Sequence, residues 1–208
     1  MKKIIITAII IIGAIGSYWY YAQAAIVTVD SYSESNYSTD ETLSSIFHQS
    51  AGQSYTATGV TLDSVKFYLR KSSSPTGNAT AILYAHSGTY GTNSLPTGSA
   101  LATSDNFDVS TLTTSYQLIT FNFTGANRYS LVDGTKYVIQ LSYSGGDAVN
   151  IIQLGLDEFA PVSHSGNRSF LFGSWFSSSA GDDIFYVYGD DAAPASVPST
   201  ISDFVLFE

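Results

Sequence analysis

What most constrains this chain is a two-residue alternation that recurs along its length. Val65, Phe67 and Leu69 are apolar, and Ser64, Lys66, Tyr68 and Arg70 are interleaved with them. Successive side chains of an extended strand point to opposite faces, so this spacing predicts a strand with one buried and one solvated face. A helix would scatter the same residues around its circumference. Residues 116–123 (YQLITFNF) put Ile119, Phe121 and Phe123 on one face, and residues 136–143 (KYVIQLSY) set Tyr137, Ile139, Leu141 and Tyr143 together. Residues 80–85, 149–154, 169–172 and 183–188 complete the main set, with 25–29 and 53–57 as edge or entry strands.

The connectors carry turn chemistry. Asp133-Gly134 and Gly145-Gly146-Asp147 supply glycine where positive φ is expected, and Pro75-Thr76-Gly77 marks a tight reversal. A second Pro-x-Gly, Pro96-Thr97-Gly98, sits in a longer loop over residues 86–99. Only residues 40–49 read as helical, for two turns at most. Short strands at regular spacing with polar turns predict an all-β fold over residues 25–189, an antiparallel β-sandwich or barrel. Composition agrees: aromatic residues make up 14% and charged residues 12% of the chain, and Tyr is the commonest aromatic. Helices favour Ala, Leu, Glu and Lys instead.

Both ends depart from this pattern. Lys2 and Lys3 open the chain, an apolar run covers residues 4–16, and Ala22-Gln23-Ala24 follows. A charged start, an apolar stretch and a small-x-small site form a secretory signal, here a hydrophobic helix over residues 1–24. Cleavage after Ala24 is one outcome. The other is an uncleaved anchor, with Tyr18, Trp19, Tyr20 and Tyr21 at the outer membrane interface. Either way the domain works outside the cytoplasm, extracellular or at the cell surface. Residues 190–200 read as a Pro/Ala/Ser linker, and residues 201–208 (ISDFVLFE) as a short apolar tail able to pair as a strand.

Charge narrows the partners. Beyond Lys2 and Lys3, six basic residues stand against seventeen acidic ones. Phosphate binding needs clustered Lys and Arg, so nucleic acid is excluded as a partner, and the membrane is met only through the leader if it stays. The chain has no Cys, which removes disulfides, Cys₄ zinc sites and thiol chemistry. His48, His86 and His164 stand in no Gly-x-Ser-x-Gly or His-Glu-x-x-His setting. Asp157-Glu158 and Asp182-Asp183 are read as turn carboxylates rather than a glycosidase pair. No catalytic residue is assigned.

Two binding chemistries stay open. Ca2+ takes oxygen ligands on loops, and Asp30, Glu34, Asp182 and Asp183 would converge on one if the first and last strands were neighbours. A sugar would use exposed aromatic faces and amides: Tyr90 and Asn93 in one loop, Trp175 and Phe176 in the Ser/Gly-rich loop 173–181. Asn36, Asn78, Asn122 and Asn167 lie in Asn-x-Ser/Thr sequons.

Residues 52–57 (GQSYTA), 62–71 (LDSVKFYLRK) and 74–78 (SPTGN), then Pro96-Thr97-Gly98 with Leu101-Ala102-Thr103-Ser104, and finally Trp175 with residues 183–189 (DIFYVYG), form a familiar series. It resembles the choice-of-anchor β-sandwich domains of prokaryotic surface proteins, over residues 32–189. The resemblance implies an architecture similar to carbohydrate-binding jelly rolls, surface display and no catalysis. In that family a sorting signal or transmembrane helix usually follows the domain, and residues 190–208 contain neither. The expected function is therefore an exported, non-catalytic module for adhesion or recognition, with carbohydrate as the ligand class. The alternative is a structural subunit of an extracellular filament or coat, binding copies of itself by strand exchange.

Overall fold

The computed structural model describes residues 25–158 and 164–191. The predicted leader helix and the linker and tail after residue 191 lie outside the described residues. The strands are β1 (Ile26–Tyr32), β2 (Thr39–Leu43), β3 (Ser50–Thr56), β4 (Thr61–Ser72), β5 (Asn78–Ser87), β6 (Leu95–Thr103), β7 (Phe107–Asp108), β8 (Gln117–Asn122), β9 (Lys136–Ser142), β10 (Ile151–Asp157), β11 (Arg168–Phe172), β12 (Ser174–Ser178), β13 (Asp182–Asp183) and β14 (Phe185–Asp190). Among the described residues the only helical pieces are three short 3-10 turns. The all-β antiparallel expectation holds at that level.

Two sheets stack face to face. Sheet A is organised by β4, which is twelve residues long. One of its edges takes β14 over residues 61–67 and then β10 over residues 69–72, and the other edge takes β8. β1 extends this sheet beyond β14, while β2 and β13 pair with β10. Sheet B runs β12-β11-β3-β9-β5-β6, with β7 on the end of β5.

The core follows the alternation. Val65, Phe67 and Leu69 point inward and are fully buried, joined from sheet A by Phe121, Leu154, Phe185 and Val187. Sheet B contributes Ala51, Tyr55, Ala81, Leu83, Ile139 and Leu141. Each such large side chain contributes about 1.5–3 kcal/mol of burial. Sheet B also curls. A Cβ on Gly52 would overlap the backbone of Ile139 and Gln140, so only glycine lets the strands close that tightly. The curl brings β12 back toward β6, and Trp175 meets Tyr84 edge-on at 6.0 Å. Sheet B is therefore buried on both faces at Val138, Gln140 and Ser169.

Four expectations are corrected. Residues 39–43 form β2, not a helix, because Thr39, Glu41 and Leu43 alternate inward against β10. The loop expected over 86–99 gives way at Leu95 to β6, which pairs with β5 despite Pro96 and Gly98. Such residues suit an edge strand. Trp175 and Phe176 lie on β12, not in a loop, and Gly173 with positive φ makes the hairpin from β11. β3 is an interior strand between β11 and β9 rather than an edge.

Candidate functional site

The outward positions of sheet A are unusually rich in tyrosine. Tyr68 on β4 stacks with Tyr116 at 4.8 Å, and Tyr37 stands 5.8 Å from Tyr68 and 4.9 Å from Tyr116. Gly155 on β10 makes room for them. A Cβ there would come within 2.8 Å of Tyr68 Cδ1 and 3.1 Å of Tyr37 Cδ2. Beside the rings, Asp40 Oδ2 accepts from Arg70 Nη2 at 3.1 Å, Tyr116 OH at 3.1 Å and Gln153 Nε2 at 2.7 Å. Arg70 Nε donates to Gln153 Oε1 at 3.0 Å, and its guanidinium lies 4.8 Å over the Tyr116 ring. Burial and the Asp40 charge push the Tyr116 hydroxyl well above the usual tyrosine range, so it stays a donor. Further along the face, Tyr186 and Tyr188 lie parallel at 6.2 Å, Lys66 Nζ stands 5.2 Å from the Tyr188 ring centre, and Tyr186 donates to Glu34. That hydroxyl holds the Glu34 carboxyl below its ordinary value.

A second polar assembly lies inside, between the sheets. Arg168 on β11 is only 3% exposed. It donates to Glu41 from Nη2 and to Glu158 from Nη1 at 3.5 Å, and its Nε stands 3.3 Å from Asp183 Oδ1. Burial pushes the Asp183 carboxyl up to about 7, although Arg168 draws it down. Gln53 Nε2 donates to Asp182 Oδ1 at 2.6 Å, and Gln53 Oε1 accepts the Asp183 N–H at 3.1 Å. His164 Nδ1 is met by two donors, Gly166 N at 3.0 Å and Gln53 Nε2 at 3.1 Å. Its ring proton therefore sits on Nε2 and is donated to Asp30 Oδ1 at 3.2 Å. The network joins β1, β2 and β13 of sheet A to β3 and β11 of sheet B.

The residues singled out from sequence fall in several places. β1 does neighbour β14, yet the four carboxylates do not meet at one point. Asp30 and Asp182 both contact His164, Asp183 faces Arg168, and Glu34 lies on the outer face with Tyr186. Among the described residues no three His, Asp or Glu side chains are grouped to hold a metal ion. Asp182 and Asp183 are not solvent turn carboxylates, as the sequence suggested. They are 1% and 0% exposed, drawn inside by Gln53 and Arg168.

Asn93 spends its side chain on its own loop, accepting from Thr89 N–H at 2.5 Å. Tyr90 shares a hydrogen bond with Ser165 Oγ at 3.1 Å, and Lys136 Nζ stands 4.6 Å from its ring centre. Trp175 packs on Tyr84, while Phe176 is exposed and stacks on Phe170 at 5.7 Å. Thus the structure gathers the tyrosines of sheet A on one face and leaves Tyr90, Asn93, Trp175 and Phe176 elsewhere. The outward half of the alternation (Tyr68 and Arg70, then Tyr186 and Tyr188) was the signal that pointed to this face. Of the sequons, Asn36, Asn78 and Asn122 are exposed, and Asn167 is 1% exposed with its amide donating to the Arg168 carbonyl at 2.9 Å.

No family model, curated protein or solved structure matches the chain.

Proposed function

We propose that this chain is an exported, non-catalytic recognition module, extracellular or held at a cell surface, whose sandwich is of jelly-roll type and whose sheet A face binds polysaccharide. The observation that carries the reading is the cluster of Tyr37, Tyr68 and Tyr116 beside Arg70, Asp40 and Gln153. Sugar rings offer apolar C–H faces and rows of hydroxyls. Aromatic faces take the first, and a guanidinium, a carboxylate and an amide take the second. The strong acidic excess favours a neutral polysaccharide over an anionic one. The leader sequence supports export, and the resemblance to choice-of-anchor domains supports surface display. The histidines are engaged structurally: His48 with Glu41, His86 Nε2 with the buried Ser94 Oγ at 2.8 Å, and His164 with Asp30.

The test is a binding panel of neutral and anionic polysaccharides with the purified chain. Binding to a neutral polymer is expected, with about a tenfold loss, worth about 1.4 kcal/mol, in Tyr37→Ala and again in Tyr68→Ala. No binding across the panel, or unchanged binding in the double variant, defeats the proposal.

A further inference from the structure

The tyrosine cluster is one end of a longer strip on the same face. Opposite the core, the side chains of β4 recur every second residue as Arg70, Tyr68, Lys66 and Ser64. Ladder register fixes what stands beside each. Level with Lys66 are Tyr186 on β14 and Ser31 on β1 to one side, and Thr120 on β8 to the other. Level with Ser64 are Tyr188, Thr28 and Asn122 on the same three strands. Thr28, Ser31, Thr120 and Asn122 are all exposed. Arg70 and Ser64 are six residues apart, about 20 Å along the strand.

Both ends of the strip offer aromatic surface with polar groups around it. At the first, Tyr37, Tyr68 and Tyr116 stand beside Arg70 and Gln153. At the second, the Tyr186 and Tyr188 rings lie parallel, and Lys66 Nζ stands 5.2 Å from the Tyr188 ring centre. The polar groups of the second end are the less committed. Arg70 is held by Asp40 and Gln153, whereas Lys66 makes no hydrogen bond or ion pair among the described residues. The side chains of Thr28, Ser31, Thr120 and Asn122 make none either. Hydroxyls and an amide with one ammonium, set around two tyrosines, suit a ligand that is uncharged and rich in hydroxyls.

A single sugar or a disaccharide covers only one end of a strip this long. We infer that the ligand of this face is an extended run of several sugar units laid along β4, held at a first subsite by Tyr37, Tyr68 and Tyr116 and at a second by Tyr186, Tyr188 and Lys66. The inference rests on the polysaccharide reading above and adds to it a second subsite and a length requirement. Lys66 joins the two subsites. It lies between Tyr68 and Ser64 on β4, and its ammonium has three hydrogens to give to sugar hydroxyls.

The test is calorimetric titration of the full chain, in mild detergent, with the dimer and the hexamer of the cello-, xylo- and chito-oligosaccharide series. Within the series recognised, the hexamer is expected to bind at least tenfold more tightly than the dimer. Tyr68→Ala is expected to weaken both. Tyr188→Ala and Lys66→Ala are each expected to weaken the hexamer at least tenfold more than the dimer, and circular dichroism shows whether each variant keeps its fold. Equal affinity for dimer and hexamer, or hexamer binding unchanged in folded Tyr188→Ala and Lys66→Ala, overturns the second subsite and leaves the polysaccharide reading in place. An unaltered chain that binds neither these oligomers nor any polysaccharide overturns both.

Discussion

A guanidinium with 4% of its side chain exposed needs acceptors around it, and Arg168 finds Glu41, Glu158 and Asp183. Arg168→Met would leave Glu41 and Asp183 buried without their counter-charge. The expected cost is about 3–5 kcal/mol, read as a lower midpoint in urea unfolding, with partial recovery when Glu41→Gln is added. Asp183 predicts a pH effect. Burial raises its carboxyl to about 7, Arg168 lowers it, and Glu41 and Asp182 raise it. Below about pH 4 folded and unfolded chains both hold the proton. Between about 4 and 7 only the folded chain does, so this contribution to stability is full in acid and is lost as pH rises through 7. Thermal melts from pH 4 to 8 should show that decline, and Asp183→Asn should flatten it. An unchanged slope would mean Asp183 does not titrate there. The sequence showed Asp182 and Asp183 as a carboxylate pair but gave no view of Gln53, which lies about 130 residues away in the chain.

At the scale of elements, β4 was legible because its alternation runs through seven residues without a break, and the structure extends it to Thr61–Ser72. β2, β6 and β12 were not. Thr-Asp-Glu-Thr-Leu has too few apolar residues to show a period, Pro96 and Gly98 read as turn, and Ser-rich β12 reads as loop. Each is a strand because a neighbour supplies its ladder: β10 for β2, β5 for β6, β11 for β12. Gly155 tests how one element shapes the candidate site. Gly155→Ala puts a methyl into the Tyr68 and Tyr37 rings, and overpacking of this kind costs about 1–3 kcal/mol. The expected outcome is weaker polysaccharide binding together with a lowered thermal midpoint. A loss of stability with binding intact would show that the tyrosine arrangement is not what the ligand reads.

For the whole molecule, the first and last strands pair over their full length, and Asp191 N–H donates to Ala25 O at 2.9 Å, so the domain's two ends leave side by side. In that sandwich the tyrosine cluster lies on the outward face of sheet A, while the charge network is buried between the sheets. By itself the sequence determined that the domain is all-β and which half of its clearest alternating strands faces inward, because the two-residue period is a local property of extended backbone. Tertiary structure alone decided that β4 would serve three neighbours, that sheet B would curl over Gly52, and that Arg168 would draw Asp183 inside. Those outcomes depend on side chains far apart in the chain meeting in one core, where burying a charge is tolerated only once its partner has arrived.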